Sequence, residues 1–226
     1  DDVMVYERPG RHDGLAGLFT LARELRRRRF DAAILLQNAF EAAVIARLAG
    51  IPVRAGYSTD ARGLLLTHPV SRPPRIRTVH QSLYYLEMLR ALGFVPAGTA
   101  ASLVPSEAQR QAARRHLAEL GIAGRRPLVG MAPGAAYGPA KRWFPERFAA
   151  VADRLAGRYA CPVLLFGSAG DRPSTEAVQS AAKTALVDVA GRTSLGDAIA
   201  LIACCDLFIT NDSGLMHVAG ALGVPT

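Results

Sequence analysis

Cysteine is scarce in this chain, with three in 226 residues. Cys204 and Cys205 are adjacent and poorly placed to pair with each other, and Cys161 opens an apolar run. No C-x-x-C pair is present, so neither a disulfide framework nor a thiolate metal site is expected. A reducing, cytosolic compartment is the natural inference. Aromatic residues make up only 7% and are not interleaved with the basic ones, which argues against a stacking platform for nucleic acid. No apolar run approaches the ~18 residues of a membrane span. The opening Asp1-Asp2 does not read as a signal peptide. No G-x-G-x-x-G follows a strand, which disfavours a dinucleotide oxidoreductase. The Walker pattern is also unmet, because Gly134 and Gly138 have the wrong spacing before Lys141.

What is present is a chain that is 50% hydrophobic and long enough for two domains. Its formal charge is +8. That balance favours anionic partners, although an Arg- and Ala-rich genome would produce the same composition. There is no initiator Met, and the chain halts at Val224-Pro225-Thr226, where a strand should be starting. The expectation is a fragment lacking pieces at both ends.

Taken in order, the chain alternates short apolar runs with amphipathic ones. Val3–Tyr6 reads as the end of a strand. Leu15–Arg29 carries Leu18, Leu21, Ala22 and Leu25 at helical spacing. Its Arg26–Arg29 cluster suits the negative end of the helix dipole better than a phosphate site. Strands at Ala32–Leu36 and Val53–Tyr57 flank a helix at Phe40–Leu48. Residues 58–79 read as irregular, holding Arg62, Arg72, Arg75 and Arg77 in either an acceptor-touching loop or a solvated connection. His68 and His80 have no partners at metal-ligand spacing. A helix follows over Gln81–Leu92, then a linker over residues 94–105 with Pro96, Gly98 and Pro105.

A second alternation follows a helix at Ser106–Leu120, with Ser106 as a candidate cap. Strands are predicted at 128–132, 162–166, 185–189 and 206–210, and helices at 145–159, 174–183, 194–204 and 213–222. The pattern predicts two α/β domains, 1–100 and 101–226, with parallel sheets and a ligand cleft where strands end.

Four strand ends carry residues suited to an anionic ligand. Pro133-Gly134-Ala135-Ala136-Tyr137-Gly138-Pro139-Ala140-Lys141-Arg142-Trp143 is a small-residue loop. Gly134 would permit close backbone approach, Ala135 and Ala136 leave N–H groups accessible, and Lys141 brings a mobile charge. Alone, this loop is also what an ordinary strand-to-helix connection with a solvated Lys looks like. Trp143 is expected beneath it. Gly167-Ser168-Ala169-Gly170-Asp171 places a carboxylate either on ribose hydroxyls or on the next helix as a cap. At Gly191-Arg192-Thr193-Ser194, Thr193 or Ser194 caps the following helix. In Asn211-Asp212-Ser213-Gly214, Ser213 and Gly214 are N–H donors for a phosphate at a helix N-terminus, or the plain N-cap of that helix. Asp212 suits sugar hydroxyls better than a diphosphate. His217 lies one turn on, placed for either a ligand or a core hydrogen bond.

The runs P-G-A-A-Y-G-P-A-K-R-W-F-P-E-R-F-A, L-L-F-G-S-A-G-D, A-G-R-T-S-L and T-N-D-S-G-L-M-H-V-A-G-A-L-G-V-P together resemble glycosyltransferase family 9. So do L-R-R-R-R-F-D-A-A-I-L-L-Q-N-A-F and A-G-I-P-V-R-A-G-Y in the first half. The resemblance implies the GT-B fold, two Rossmann-like domains facing a cleft, both incomplete here. It implies inverting transfer of L-glycero-D-manno-heptose from ADP-heptose to the first heptose of the lipopolysaccharide inner core. It implies no cofactor and no tightly bound metal, with ADP-heptose as donor substrate. Lys141, Ala135 and Ala136 are then expected at the diphosphate, Asp171 at the ribose and Thr193 at the adenine. Asp212, Ser213, Gly214 and His217 are expected around the phosphates and donor heptose. The family's proposed general base falls in a segment expected upstream of Asp1, so the base is unknown here. A monomer without nucleic-acid partners is expected, at the cytoplasmic face of the inner membrane and in peripheral contact with it. The alternatives are another GT-B sugar-nucleotide enzyme and a non-catalytic nucleotide- or glycan-binding module.

Overall fold

The computed structural model describes residues 3–136 and 138–226, with Arg77 and Pro139 described by backbone alone. Expectations placed on Asp1, Asp2, Tyr137 and the Arg77 side chain lie outside the described residues. The chain divides into two units, Asp1–Ala100 and Ala101–Thr226.

The first unit holds helix α1 (Gly14–Arg28), strand β1 (Ala32–Leu35), α2 (Phe40–Leu48), β2 (Val53–Tyr57), β3 (His68–Val70) and α3 (Gln81–Ala91). Its parallel sheet has the order β1-β2-β3. Ala32 pairs with Val53 and Ala55 with His68. Asp13 caps α1, and Arg26, Arg27 and Arg28 occupy its last turn. There their charge meets unpaired carbonyls.

Two expectations fail in this unit. Val3–Tyr6 is not a strand: Val3 and Val5 are exposed, and Tyr6 is held by its side chain, donating to Glu41 at 2.6 Å. Nor is 58–79 irregular. It supplies β3, and Arg62, expected at an acceptor or in solvent, is fully buried. Its Nε donates to the Tyr57 carbonyl at 2.7 Å, and its other nitrogens donate to the Gln37 carbonyl and the Asn38 Oδ1. Burial draws this guanidinium below its ordinary pKa.

The second unit runs α4 (Glu107–Glu119), β4 (Val129–Ala132), α5 (Pro145–Tyr159), β5 (Val163–Leu165), α6 (Arg172–Ala181), β6 (Val187–Asp188), α7 (Leu195–Ile202), β7 (Leu207–Thr210) and α8 (Gly214–Ala221). All four strands are parallel, in the order β6-β5-β4-β7. The chain winds outward from β4 through β5 to β6, then returns to place β7 on the other side of β4. That reversal is a topological switch point, where open α/β sheets bind ligands.

Side chains alternate across this sheet because the strand period is two. Val129, Met131, Val163 and Leu165 face α5 and α6 through Phe148, Ala152 and Val178. Leu164, Phe166 and Phe208 face α4, α7 and α8 through Leu117, Leu201 and Ala219. Each large apolar side chain so buried contributes about 1.5–3 kcal/mol. Helix starts follow local chemistry. Ser106 and Gln109 form a reciprocal capping box on α4, and Ser194 with Asp197 forms another on α7. Such a cap contributes about 1 kcal/mol. The α7 cap is thus Ser194, which leaves Thr193 free of that duty. Among the described residues, no helix is long and apolar enough to cross a membrane.

Candidate functional site

A cavity of about 530 Å³ opens at the carboxyl ends of β4, β5 and β7. Its floor is apolar, built from Ala132, Phe166, Ala198, Leu215 and Val218. Its rim is made of turns: Gly134, Ala135 and Ala136 after β4; Gly167, Ser168 and Asp171 after β5; Thr193 and Ser194 before α7; Ser213 and Gly214 at the start of α8. Of the residues singled out in the sequence, Ala135, Ala136, Asp171, Thr193, Ser213 and Gly214 therefore line one cavity. Lys141, Asp212 and His217 do not line it.

Parallel pairing produces this convergence. Because β4 and β7 pair with Ala132 opposite Thr210, Pro133 and Asn211 leave the sheet at the same level. The Asn211 side chain, 9% exposed, then joins the two turns. Its Nδ2 donates to the Pro133 carbonyl at 2.8 Å, and its Oδ1 accepts from the Trp143 N–H at 3.1 Å. Arg142 braces the same loop from within, donating from Nε and Nη2 to the Ala135 carbonyl at 3.1 Å each. Sequence reasoning missed both residues. Asn211 reads as a turn former, and Arg142 as a member of the loop with no role of its own. The readable signal was an Asn at a strand end, able to donate and accept at once. Trp143 packs edge-on against Phe148 with ring centroids 5.3 Å apart, yet stays 45% exposed, so it is only partly beneath the loop.

Asp171 stands at the cap position of α6 but makes no capping hydrogen bond to that helix; its side chain reaches back instead, its Oδ2 accepting from the Ser168 N–H at 2.9 Å and from the Ser168 hydroxyl at 2.7 Å. Its other oxygen lies over Gly134, where an added Cβ would come within 2.2 Å of Oδ1. The glycine expected to admit a ligand thus first admits the Asp171 carboxylate. Asp171 also lines the cavity, so its bond to Ser168 leaves it beside the ligand space.

At the start of α8, Ser213 holds the cap position but makes no capping hydrogen bond through its side chain. Its hydroxyl lies 3.1 Å from that of Thr210 instead. The first-turn amides of α8 are therefore not capped by Ser213, and they border the cavity at Ser213 and Gly214. Lys141 Nζ donates to Asp212 Oδ2 at 2.6 Å. This hydrogen bond, reinforced by the lysine's charge, holds the Asp212 carboxyl below its ordinary pKa. The charge of His217 acts in the same direction. His217 is exposed, which rules out the core reading for it.

An apolar slot at a switch point, rimmed by glycine-rich turns and helix starts, defines a Rossmann-like ligand-binding unit of the kind found in GT-B proteins. The comparisons with known proteins agree. Residues 18–226 match the model of glycosyltransferase family 9 (heptosyltransferase), and the chain belongs to that family. It is 33% identical over 208 residues to lipooligosaccharide heptosyltransferase 2 of Haemophilus influenzae, covering 88% of this chain and 60% of that protein. It is 34% identical over 215 residues to lipopolysaccharide heptosyltransferase 2 of Escherichia coli, covering 91% of this chain and 61% of that one. Among solved structures, the E. coli ADP-heptose lipopolysaccharide heptosyltransferase II matches with a TM-score of 0.73 at 33% identity, over 91% of this chain and 64% of that one. A family 9 glycosyl transferase from Veillonella parvula matches with a TM-score of 0.85 at 30% identity, over 100% of this chain and 64% of that one. The chain thus spans about three-fifths of the length of these curated relatives, 60% and 61%. Its fold is α/β, of the GT-B class, with a parallel-sheet unit in each half.

Proposed function

We propose that this chain carries the donor-binding part of an inverting glycosyltransferase that moves L-glycero-D-manno-heptose from ADP-heptose to the first heptose of the lipopolysaccharide inner core. The observation that supports it best is the cavity at the switch point. Its apolar floor suits a purine, and its rim gathers Asp171 for ribose hydroxyls and Thr193 for the base edge. The loop amides at Ala135 and Ala136 and those at Ser213 and Gly214 suit a diphosphate. Lys141 and Asp212 stand beside these as one cation and one acceptor for the sugar end, with His217 near them.

In such a transfer an acceptor hydroxyl attacks the anomeric carbon as its proton is removed, and ADP departs with growing negative charge. No residue of this chain is assigned as the base. Lys141 and the α8 amides meet the departing charge, each donor contributing a few kcal/mol to the barrier reduction. This reading calls for no tightly bound metal. In it, the Lys141–Asp212 pair opens when the donor arrives, the lysine turning to phosphate and the carboxylate to a sugar hydroxyl.

The proposal extends to a monomer working at the cytoplasmic face of an anionic membrane. Arg11, Arg23, Arg26 and Arg27 border an open groove on α1 beside Phe19 and Leu48. Co-sedimentation with anionic but not neutral vesicles checks that part.

The decisive test is thermal stabilisation of the chain by a panel of nucleotides and nucleotide sugars. ADP and ADP-heptose are expected to raise the melting temperature in a saturable way, and UDP- and GDP-sugars to leave it unchanged. Equal stabilisation by the UDP- and GDP-sugars, or none by ADP, overturns the reading. In an enzyme that contains this chain, Lys141→Ala is expected to cut turnover. Unchanged kcat and KM would remove Lys141 from the phosphate site.

A further inference from the structure

We propose that Asn211 is a positioning residue for the diphosphate site, setting the distance between the 133–143 loop and the entrance of α8. The inference rests on the donor-binding reading above and goes further: it assigns a side chain that touches no ligand to the alignment of two that do.

The geometry is that of a single bolt through two turns. Pro133 opens the loop and Trp143 closes it, eight residues after Ala135 and two after Lys141. Asn211 accepts from one end and donates to the other while standing next to Asp212 and Ser213. Moving Asn211 therefore moves the loop amides, Lys141 and the α8 amides relative to one another.

Only an amide of this length serves. Aspartate keeps the acceptor for Trp143 but turns a carboxylate oxygen onto the Pro133 carbonyl, setting two acceptors 2.8 Å apart where a hydrogen bond stood. An apolar side chain of the same size leaves a buried carbonyl and a part-buried N–H without these partners. Arg142 is the second brace. It fixes the Ala135 carbonyl, and so the direction of the peptide that follows it. The adenine side of the cavity, at Thr193, Leu195 and Ala198, is reached by neither brace.

That separation provides a readout that a merely structural role would not move. ADP and adenosine are titrated into the 226-residue chain and into its Asn211→Asp and Arg142→Met variants by calorimetry. For Asn211→Asp, ADP is expected to bind about tenfold more weakly while adenosine stays within about twofold of wild type, as one lost and reversed buried hydrogen bond would give. Arg142→Met, at an exposed side chain, is expected to weaken ADP about threefold, again with adenosine unchanged, and Arg142→Lys to recover part of it. Loss of ADP and adenosine by the same factor would make Asn211 a structural residue only and overturn the proposal. Wild-type ADP affinity in both variants would overturn it as well. Should Asn211→Asp fail to fold, Asn211→Gln, which keeps both groups on a longer arm, takes its place with the same expected fall in ADP relative to adenosine. A wild-type chain that takes neither ADP nor adenosine refutes the donor reading itself, an outcome distinct from wild-type binding with an unchanged ADP-to-adenosine ratio in the variants.

Discussion

The two parallel sheets of this chain end differently at their carboxyl edges. In the first unit the ends of β1 and β2 are plugged from within: Arg62 is fully buried and donates to the Tyr57 carbonyl, the Gln37 carbonyl and Asn38. Asn38 in turn donates to the Tyr84 hydroxyl at 2.9 Å, and the Tyr57 hydroxyl donates to the Tyr84 carbonyl at 2.7 Å. Burial pushes the Tyr57 phenol up to about 12. In the second unit the corresponding edge is left open, with small residues around an apolar floor. The supporting cores differ in the same sense. All four residues of β4 are buried, whereas β1 alternates exposed and half-buried positions. A sheet covered on both faces can hold a cavity at its edge. The first unit closes its edge with its own guanidinium.

Breaking each edge tests that contrast. The largest effect is expected from Phe208→Ala. Phe208 is fully buried and its ring lies 5.6 Å from that of Phe166, which lines the cavity. A loss of about 3–5 kcal/mol in unfolding free energy is expected, together with ADP-dependent stabilisation. Chemical denaturation with and without ADP measures both. Next comes Arg62→Met, which strands three acceptors at the end of β2 and after β1. About 3 kcal/mol is expected from the first unit, with the ADP affinity of the second unchanged. A variant that loses both would show that the edges are not independent.

Gly134→Ala addresses the open edge alone. The new methyl displaces the Asp171 carboxylate, a close overlap that costs about 1–3 kcal/mol and weakens nucleotide binding by about tenfold or more. A nuclear magnetic resonance shift of Asp171 with unchanged ADP affinity would instead detach Asp171 from the ligand. The smallest effect concerns pH. Asp212 is held below its ordinary 3.8 by the Lys141 hydrogen bond, so the contact contributes at pH above the unfolded value and is lost as pH falls through the folded one. Both partners are exposed, so stability hardly changes. Carboxyl titration is expected to show Asp212 returning toward 3.8 in Lys141→Met. No movement would mean that the pair does not persist in solution.

Much of the fold was legible because local chemistry and burial agreed. Phe40–Leu48, Val53–Tyr57 and Pro145–Tyr159 stand where apolar spacing and Gly or Pro punctuation put them. The strand β3 was not legible. His68-Pro69-Val70 has no alternation, and its extended form comes from pairing with Ala55–Tyr57. Val3–Tyr6 shows the converse, a strand-like composition without a ladder. In the site, the glycine-rich turns and the α8 start were visible as strand-end motifs. The burial of Arg62 and the Asn211 bolt were not, since each joins backbone groups that lie far apart along the chain.

Sequence alone determined the alternation of strands and helices, their parallel arrangement, the family, and the strand ends that carry polar and small residues. These follow from period, punctuation and motif, all of which act over a few residues. Tertiary structure alone decided which strand ends share a cavity, that Lys141 pairs with Asp212, and that Gly134 yields its space to Asp171. The shared cavity and the Lys141–Asp212 pair depend on β7 returning beside β4, and the Gly134–Asp171 contact on β5 pairing with β4 on its other side. Pairing in that register is settled by the burial of both sheet faces at once, a condition no single stretch of chain can express.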